Sequence, residues 1–283
     1  MIKKILVAVI FMLLFLRGSV ENTDTVRVDA PYEVVVSSFT DTGLFHKWFP
    51  GFKESKSVES FYQHLPNGIV LKANSTDSAF LFARRVPQSN STDVFFSETI
   101  RRYQYYFNSQ GNAQPVLTAL KNFTESTTLY YGFNIVASTV TDTIVLTITS
   151  TCSGTDYLAV ANKLYHEIDA YSLQNNAIQT SGRMLHLSKR SNDEYELMVG
   201  VPVNKILPGT SQIKCTTMPK GNILIADYSG PYALRNQCYN AVRQYLEDYG
   251  LSTISKDYEK FVNPQLPSSE NDTARLKIYF PVL

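Results

Sequence analysis

Residues Lys220–Gly250 read KGNILIADYSGPYALRNQCYNAVRQYLEDYG. An apolar run, NILIADY, meets a Ser-Gly-Pro break. A helical pattern follows, with Cys238, Val242, Leu246 and Tyr249 on one face. Strand, glycine turn and helix is also the plan of a phosphate-binding loop. Such a loop needs G-x-x-x-x-G-K-[ST] or G-x-G-x-x-G after its strand, and neither is present. The stretch therefore reads as architecture. NILIADY is an internal strand, and SGPY is a turn whose proline begins the helix.

The same order of elements precedes it. LYYGFNIVASTVTDTIVLTIT, from Leu129, is strand-like and rich in Thr, Ile and Val. TDYLAVANKLYHEIDAYSLQNN then places Tyr157, Val160, Ala161, Leu164, Ile168 and Tyr171 on one helical face. Strands around RMLHLSK and EYELMVGVPV follow, as DYEKFVN and RLKIYFPV follow the later helix. Setting KLYHEIDAYSLQNNAI against QCYNAVRQYLEDYGL pairs Tyr165 with Tyr239 and Tyr171 with Tyr245 at one offset. Pro202 and Pro281 close the two halves. The pattern predicts an internal duplication of a β-α-β-β unit.

Upstream the texture differs. TVRVDAPYEVVVSSFTDTGLFHKWFPGF, residues 25–52, opens with an alternating strand, and Pro31 stands where a helix starts. Val34, Val35, Ser38 and Phe39 form its inner face, and Trp48 falls in a Pro-Gly-terminated loop. Short β-like runs follow, GIVLKA, AFLFARRV, DVFFSETI and RRYQYYF, divided by turns at HLPNG, NSTDS and VPQSNST. An amphipathic helix over about Gln114–Glu125 closes this part.

Composition bounds the function. The 283 residues are 44% hydrophobic and 18% charged, enough to bury a core and to exclude disorder. With 26 basic and 25 acidic residues, net charge +1, there is no electrostatic footprint for nucleic acid. Eighteen Tyr and 16 Phe against one Trp suit half-buried surfaces or a ligand groove, and equally a β-rich core.

At the N-terminus MIKK precedes ILVAVIFMLLFL, residues 5–16. That run reaches about 18 Å as a helix, short of the roughly 30 Å hydrocarbon core. It reads as an export signal, either cleaved or retained as an anchor. Cys152, Cys215 and Cys238 make no metal-ligand spacing, and one disulfide or three free thiols fit equally. Sequons stand at Asn74, Asn90, Asn122 and Asn271.

The chemistry is sparse. HEID at 166–169 lacks the second histidine of a zinc-protease helix, and the Asp193/Glu194 and Glu247/Asp248 pairs read as solvated surface. Neither a metal nor a cofactor is expected. Glu259 differs from these, because alternation in DYEKFVNP puts it on one face with Phe261. Exposed, it is an ordinary edge-strand glutamate. Buried among Tyr and Phe, it is a receptor for a lipophilic cation.

The duplicated units, the YELMVGVPV strand, the GNILIADYSGPY turn and the YEKFVNP strand carry a resemblance. Residues 129–283 resemble the GyrI-like small-molecule-binding domain, the effector-binding domain of AraC-type and MerR-type regulators. The family's Gly-x-Tyr turn becomes Gly230-Pro231-Tyr232, and its Glu-x-Tyr-x-x-Pro strand becomes Glu259 to Pro264, with Phe261 in place of Tyr. The resemblance implies two halves with pseudo-twofold symmetry and a groove between their helices. It makes Glu259 the central carboxylate, with Phe261, Tyr258, Tyr228, Tyr232 and His186 as ligand-facing neighbours. Residues 22–126, through VRVDAPYEVVVSSFTDTGLFHKWFPG, resemble the START-related, polyketide-cyclase-like (SRPBCC) fold. That fold is a curved antiparallel sheet gripping a C-terminal helix over an apolar cavity, and here the helix is short.

The expected fold is thus α+β, with a signal or anchor at 1–20, a helix-grip-like domain at 22–126 and a duplicated β-α-β-β domain at 129–283. The regulators' helix-turn-helix has no counterpart. The expected function is an extracytoplasmic binder of a small lipophilic or aromatic molecule, cations included, around Glu259. The alternatives are a hydrolase using Glu259 as base, assisted by Tyr228 or Tyr258, and a structural or partner-binding protein.

Overall fold

The computed structural model describes residues 19–49, 62–65, 68–72, 78–101, 113–154, 156–191, 193–263 and 265–283. The apolar segment 5–16 lies outside them, as do 102–107 of the RRYQYYF run and Pro264. Among the described residues no helix is long and apolar enough to cross a membrane. The fold is mixed α+β with two antiparallel sheets. The chain divides into two compact units, Met1–Tyr130 and Tyr131–Leu283.

In the first unit, β1 (Ser19–Val28) alternates exposed and half-buried residues and pairs along its length with β5 (Thr92–Arg101). Ser19 and Val20 are therefore strand residues. With β2 (Tyr62–Leu65), β3 (Gly68–Lys72) and β4 (Ser78–Arg85) the sheet order is β1-β5-β4-β3-β2. His64 and Leu65, expected in a turn, are strand residues.

Pro31 caps α1 (Tyr32–Thr40) at φ −57°, which buries Val34, Val35, Ser38 and Phe39. Asp41 accepts a bond from the Leu44 N–H at 3.0 Å and starts α2 (Thr42–Trp48). Trp48 thus ends a helix and not a loop. Its indole N–H donates to the Ser38 carbonyl at 2.7 Å, which fixes α2 against α1. α3 (Ala113–Glu125) buries Val116, Leu117, Leu120 and Phe123, and α4 is the short helix Thr127–Tyr131.

The second unit runs β6 (Ile135–Thr139), β7 (Ile144–Ser153), α5 (Tyr157–Gln174), β8 (Met184–Lys189) and β9 (Glu194–Pro202). It continues as β10 (Lys214–Thr217), β11 (Asn222–Pro231), a 3-10 turn at Tyr232–Arg235, α6 (Asn236–Asp248), β12 (Tyr258–Phe261) and β13 (Thr273–Val282). Each half carries one more leading strand than β-α-β-β. Gly230 and Pro231 finish the strand, so the 3-10 turn and not the proline opens the helix.

The eight strands lie in the order β10-β7-β9-β8-β12-β13-β11-β6. The leading strands change sides: β6 pairs with β11, and β10 pairs with β7. The halves meet where β8 pairs with β12, through Glu259 opposite Leu185 and Lys260 opposite Met184. Gly182 permits that approach, since a Cβ there would stand 2.4 Å from the Phe261 carbonyl oxygen.

One sheet face supplies Leu146, Leu185, Val199, Leu276 and Ile278 to a core with Ala161, Tyr165 and Ile168 of α5 and Cys238, Val242 and Leu246 of α6. Both helices therefore cover the same face. Residues of opposite parity, Val145, Met184, Ile223 and Tyr258, form a separate cluster. All three cysteines are free.

Candidate functional site

Glu259 sits in the short strand at the seam of the sheet. Its cross-strand partners, Leu185 and Ile278, are core residues, so its side chain points toward the helices. It is 3% exposed. Three donors converge on it. The Tyr232 hydroxyl donates to Oε2 at 2.5 Å, and Oε1 accepts from Arg235 Nε at 2.8 Å and from the Tyr239 hydroxyl at 3.3 Å.

Arg235 is the centre of the cluster. Nη1 donates to the Tyr232 carbonyl at 2.9 Å and to Glu270 at 3.0 Å, and Nη2 donates to the Tyr157 hydroxyl at 3.1 Å. The guanidinium lies 3.8 Å over the Tyr232 ring and 5.8 Å from the Tyr157 ring centre. Tyr157 in turn donates to Glu270. Phe261 packs toward the Tyr232 ring at 6.0 Å.

Burial pushes the Glu259 carboxyl up, and the Arg235 charge and the Tyr232 donor pull against that rise. Burial also opposes the Arg235 charge, but Tyr232 and Glu259 raise its pKa above the ordinary value. The two directions conflict for one ion pair. A guanidinium does not release its proton in this range, and it makes its hydrogen bonds as a donor. We therefore place an ionised Glu259 opposite a charged Arg235. Burial, reinforced by the Glu259 charge, raises the Tyr232 and Tyr239 phenols, so both remain donors.

Of the residues named from sequence, the structure brings Glu259, Phe261 and Tyr232 together. Tyr228 shares their sheet face but spends its hydroxyl on the Pro231 carbonyl. Tyr258 points to the opposite face, stacked on Tyr279 at 4.9 Å. His186 also leaves the site, because it follows Leu185 by one residue and so has the opposite parity. Its Nδ1 donates to the Asp257 carbonyl at 2.6 Å.

Sequence reasoning missed Arg235, Tyr239, Tyr157 and Glu270 as site residues. Arg235 carried a signal: positions 232, 235, 239, 242 and 246 form one helical stripe in which it is the only charge. A charge in an apolar stripe asks for a buried partner. In the first unit a cleft of about 460 Å³ is lined by Lys47, Trp48, Phe123 and Leu129 among others. Among the described residues Lys47 is its only charged lining residue.

No protein-family model matches the chain, and no curated protein matches it. Among solved structures, the chain is similar to the EcmrR C-terminal domain, with 16% identity over 53% of this chain and 98% of that one, TM-score 0.45. It spans 57% of EcmrR as seen in its DNA complex. A hydrolase from Listeria innocua is similar at 11% identity over 52% of this chain and 91% of its own, TM-score 0.38. SAV2435 bound to tetraphenylphosphonium is similar at 12% identity over 53% of this chain and 94% of its own, TM-score 0.36.

Proposed function

We propose that Tyr131–Leu283 is a small-molecule-binding module that takes a lipophilic, cationic or aromatic ligand at the Glu259 cluster. One observation carries the reading: a carboxylate 3% exposed at the seam of the sheet, surrounded by Tyr232, Tyr239, Phe261 and Arg235. A buried acid against aromatic faces is a receptor for organic cations. A micromolar ligand needs only about 8 kcal/mol.

The module is read as two copies of one unit about a pseudo-twofold axis. The exchange of β6 and β10 between halves supports this. So do the equivalent tyrosines: Tyr165 donates to the Met184 carbonyl on β8, and Tyr239 donates to Glu259 on β12. We read the first unit as START-related, from its sheet and C-terminal helix. We read the whole protein as exported and as either anchored through residues 5–16 or released. The hydrolase alternative fits less well, because the base it requires already accepts three donors.

The test is thermal unfolding of the full chain with tetraphenylphosphonium and with an uncharged aromatic such as naphthalene. At about 100 times Kd a ligand stabilises by roughly 2.7 kcal/mol. A shift lost in Glu259→Gln supports the reading. Curves unmoved for the wild type, for Glu259→Gln and for Arg235→Ala reject it and favour a structural or partner-binding role.

A further inference from the structure

Arg235 receives everything a receptor offers an organic cation: two carboxylates, a carbonyl, a phenol oxygen and an aromatic face at 3.8 Å. It arrives from the same chain, on a four-residue turn between β11 and α6. We infer that Arg235 is a tethered occupant of the Glu259 site and sets its specificity, holding the place that a free cation must take. This rests on the reading of the cluster as a ligand site.

The turn that presents it is suited to the task. Ala233 and Leu234 on its outer side are exposed, so among the described residues no packed layer holds the turn from outside. Its inner side is held by the Tyr232 N–H on the Asp272 carbonyl at 2.9 Å and the Ala233 N–H on the Glu270 carbonyl at 2.7 Å. Glu270, the second carboxylate on Arg235, lies on that same 270–272 segment and is 43% exposed at its side chain. Turn, arginine and outer carboxylate thus form one connected group over the buried Glu259.

Competition sets the scale. A tethered group acts at an effective concentration of about 1 mM. Against an equally good tethered competitor, a free cation of intrinsic Kd about 1 μM binds roughly 1,000-fold more weakly. Removing the competitor restores that affinity, provided Glu259 remains ionised to receive the ligand.

The experiment measures binding of ethylguanidinium, which reproduces the atoms deleted in Arg235→Ala, by titration calorimetry on the full chain. The wild type, Glu259→Gln, Arg235→Ala, Arg235→Lys and the double variant Arg235→Ala with Glu259→Gln are compared at matched ionic strength. The inference expects Arg235→Ala to bind at least tenfold more tightly than the wild type, with the gain abolished in the double variant. Arg235→Lys, which keeps a charge but loses the planar stack, should fall between. Equal, Glu259-dependent binding by wild type and Arg235→Ala overturns the tethered-occupant inference and leaves the ligand site standing. No binding by any variant overturns both. If Arg235→Ala does not fold, Arg235→Lys decides, and affinity equal to wild type overturns the inference.

Discussion

The Arg235 guanidinium lies 3.8 Å over the ring of Tyr232, and both side chains donate to Glu259, one to each carboxylate oxygen. Each residue that satisfies the buried acid also restrains the other. Tyr232→Phe keeps the ring beneath Arg235 and removes only the donor to Oε2. A hydrogen bond to a charged group contributes about 1.5–3 kcal/mol, and urea unfolding should show a loss of that size. Tyr239→Phe, whose bond is 3.3 Å, should cost less. Equal losses would contradict this division of roles.

Gly182→Ala should destabilise the second unit by about 1–3 kcal/mol, the usual cost of forced overpacking. The added carbon meets the Phe261 carbonyl oxygen at 2.4 Å, and backbone has little room to yield. Gly221→Ala is the control, since nothing lies within 4 Å of its added carbon. A neutral Gly182→Ala would mean that β8 and β12 separate without cost.

Acid stability should carry the mark of Glu196. Hydrogen bonds from Lys256 and then Arg190 lower its pKa from 4.5 to about 2. A depressed carboxylate contributes stability that is present above its unfolded pKa and lost as pH falls through the folded one. The window therefore runs from about 4.5 down to about 2. Glu196→Gln should flatten the unfolding curve against pH across it. Salt should do the same in part, because at about 1 M the screening length is near 3 Å.

Thiol labelling should follow burial. Cys238 is 0% exposed and burial pushes its thiol up to about 12, whereas Cys152 and Cys215 are half-buried. Mass spectrometry after iodoacetamide should find Cys152 and Cys215 modified in the native protein and Cys238 only after unfolding. Native labelling of Cys238 would place α6 elsewhere.

What the sequence disclosed was local. The stripe Val34, Val35, Ser38, Phe39 and the helix beginning just after Pro31 followed from spacing and a fixed φ. Alternation put Glu259 and Phe261 on one face, and applied consistently it also sends Tyr258 to the other. The misplacement of His186 had a different cause, a register between strands far apart in sequence that no short window contains. The helix ending at Trp48 was hidden by the Pro-Gly that follows it. Arg235 was legible as a charge in an apolar stripe. For its partner Glu259, 24 residues away, alternation fixed the face it shares with Phe261 but left burial open, and nothing local joins the two.

The exchange of leading strands also sets the order in which the second unit can be completed. β6 leaves the ribosome first, yet its hydrogen-bonding neighbour is β11, which emerges only after α5, β7, β8, β9 and β10. Until then β6 is a ribbon without a sheet, and the nascent first half has an unfilled edge where β10 will add. A cut anywhere between Thr139 and Asn222 would divide strand neighbours and not domains. Separating the two runs of strands would therefore strip one hydrogen-bonding neighbour from each, β10 from β7 and β6 from β11.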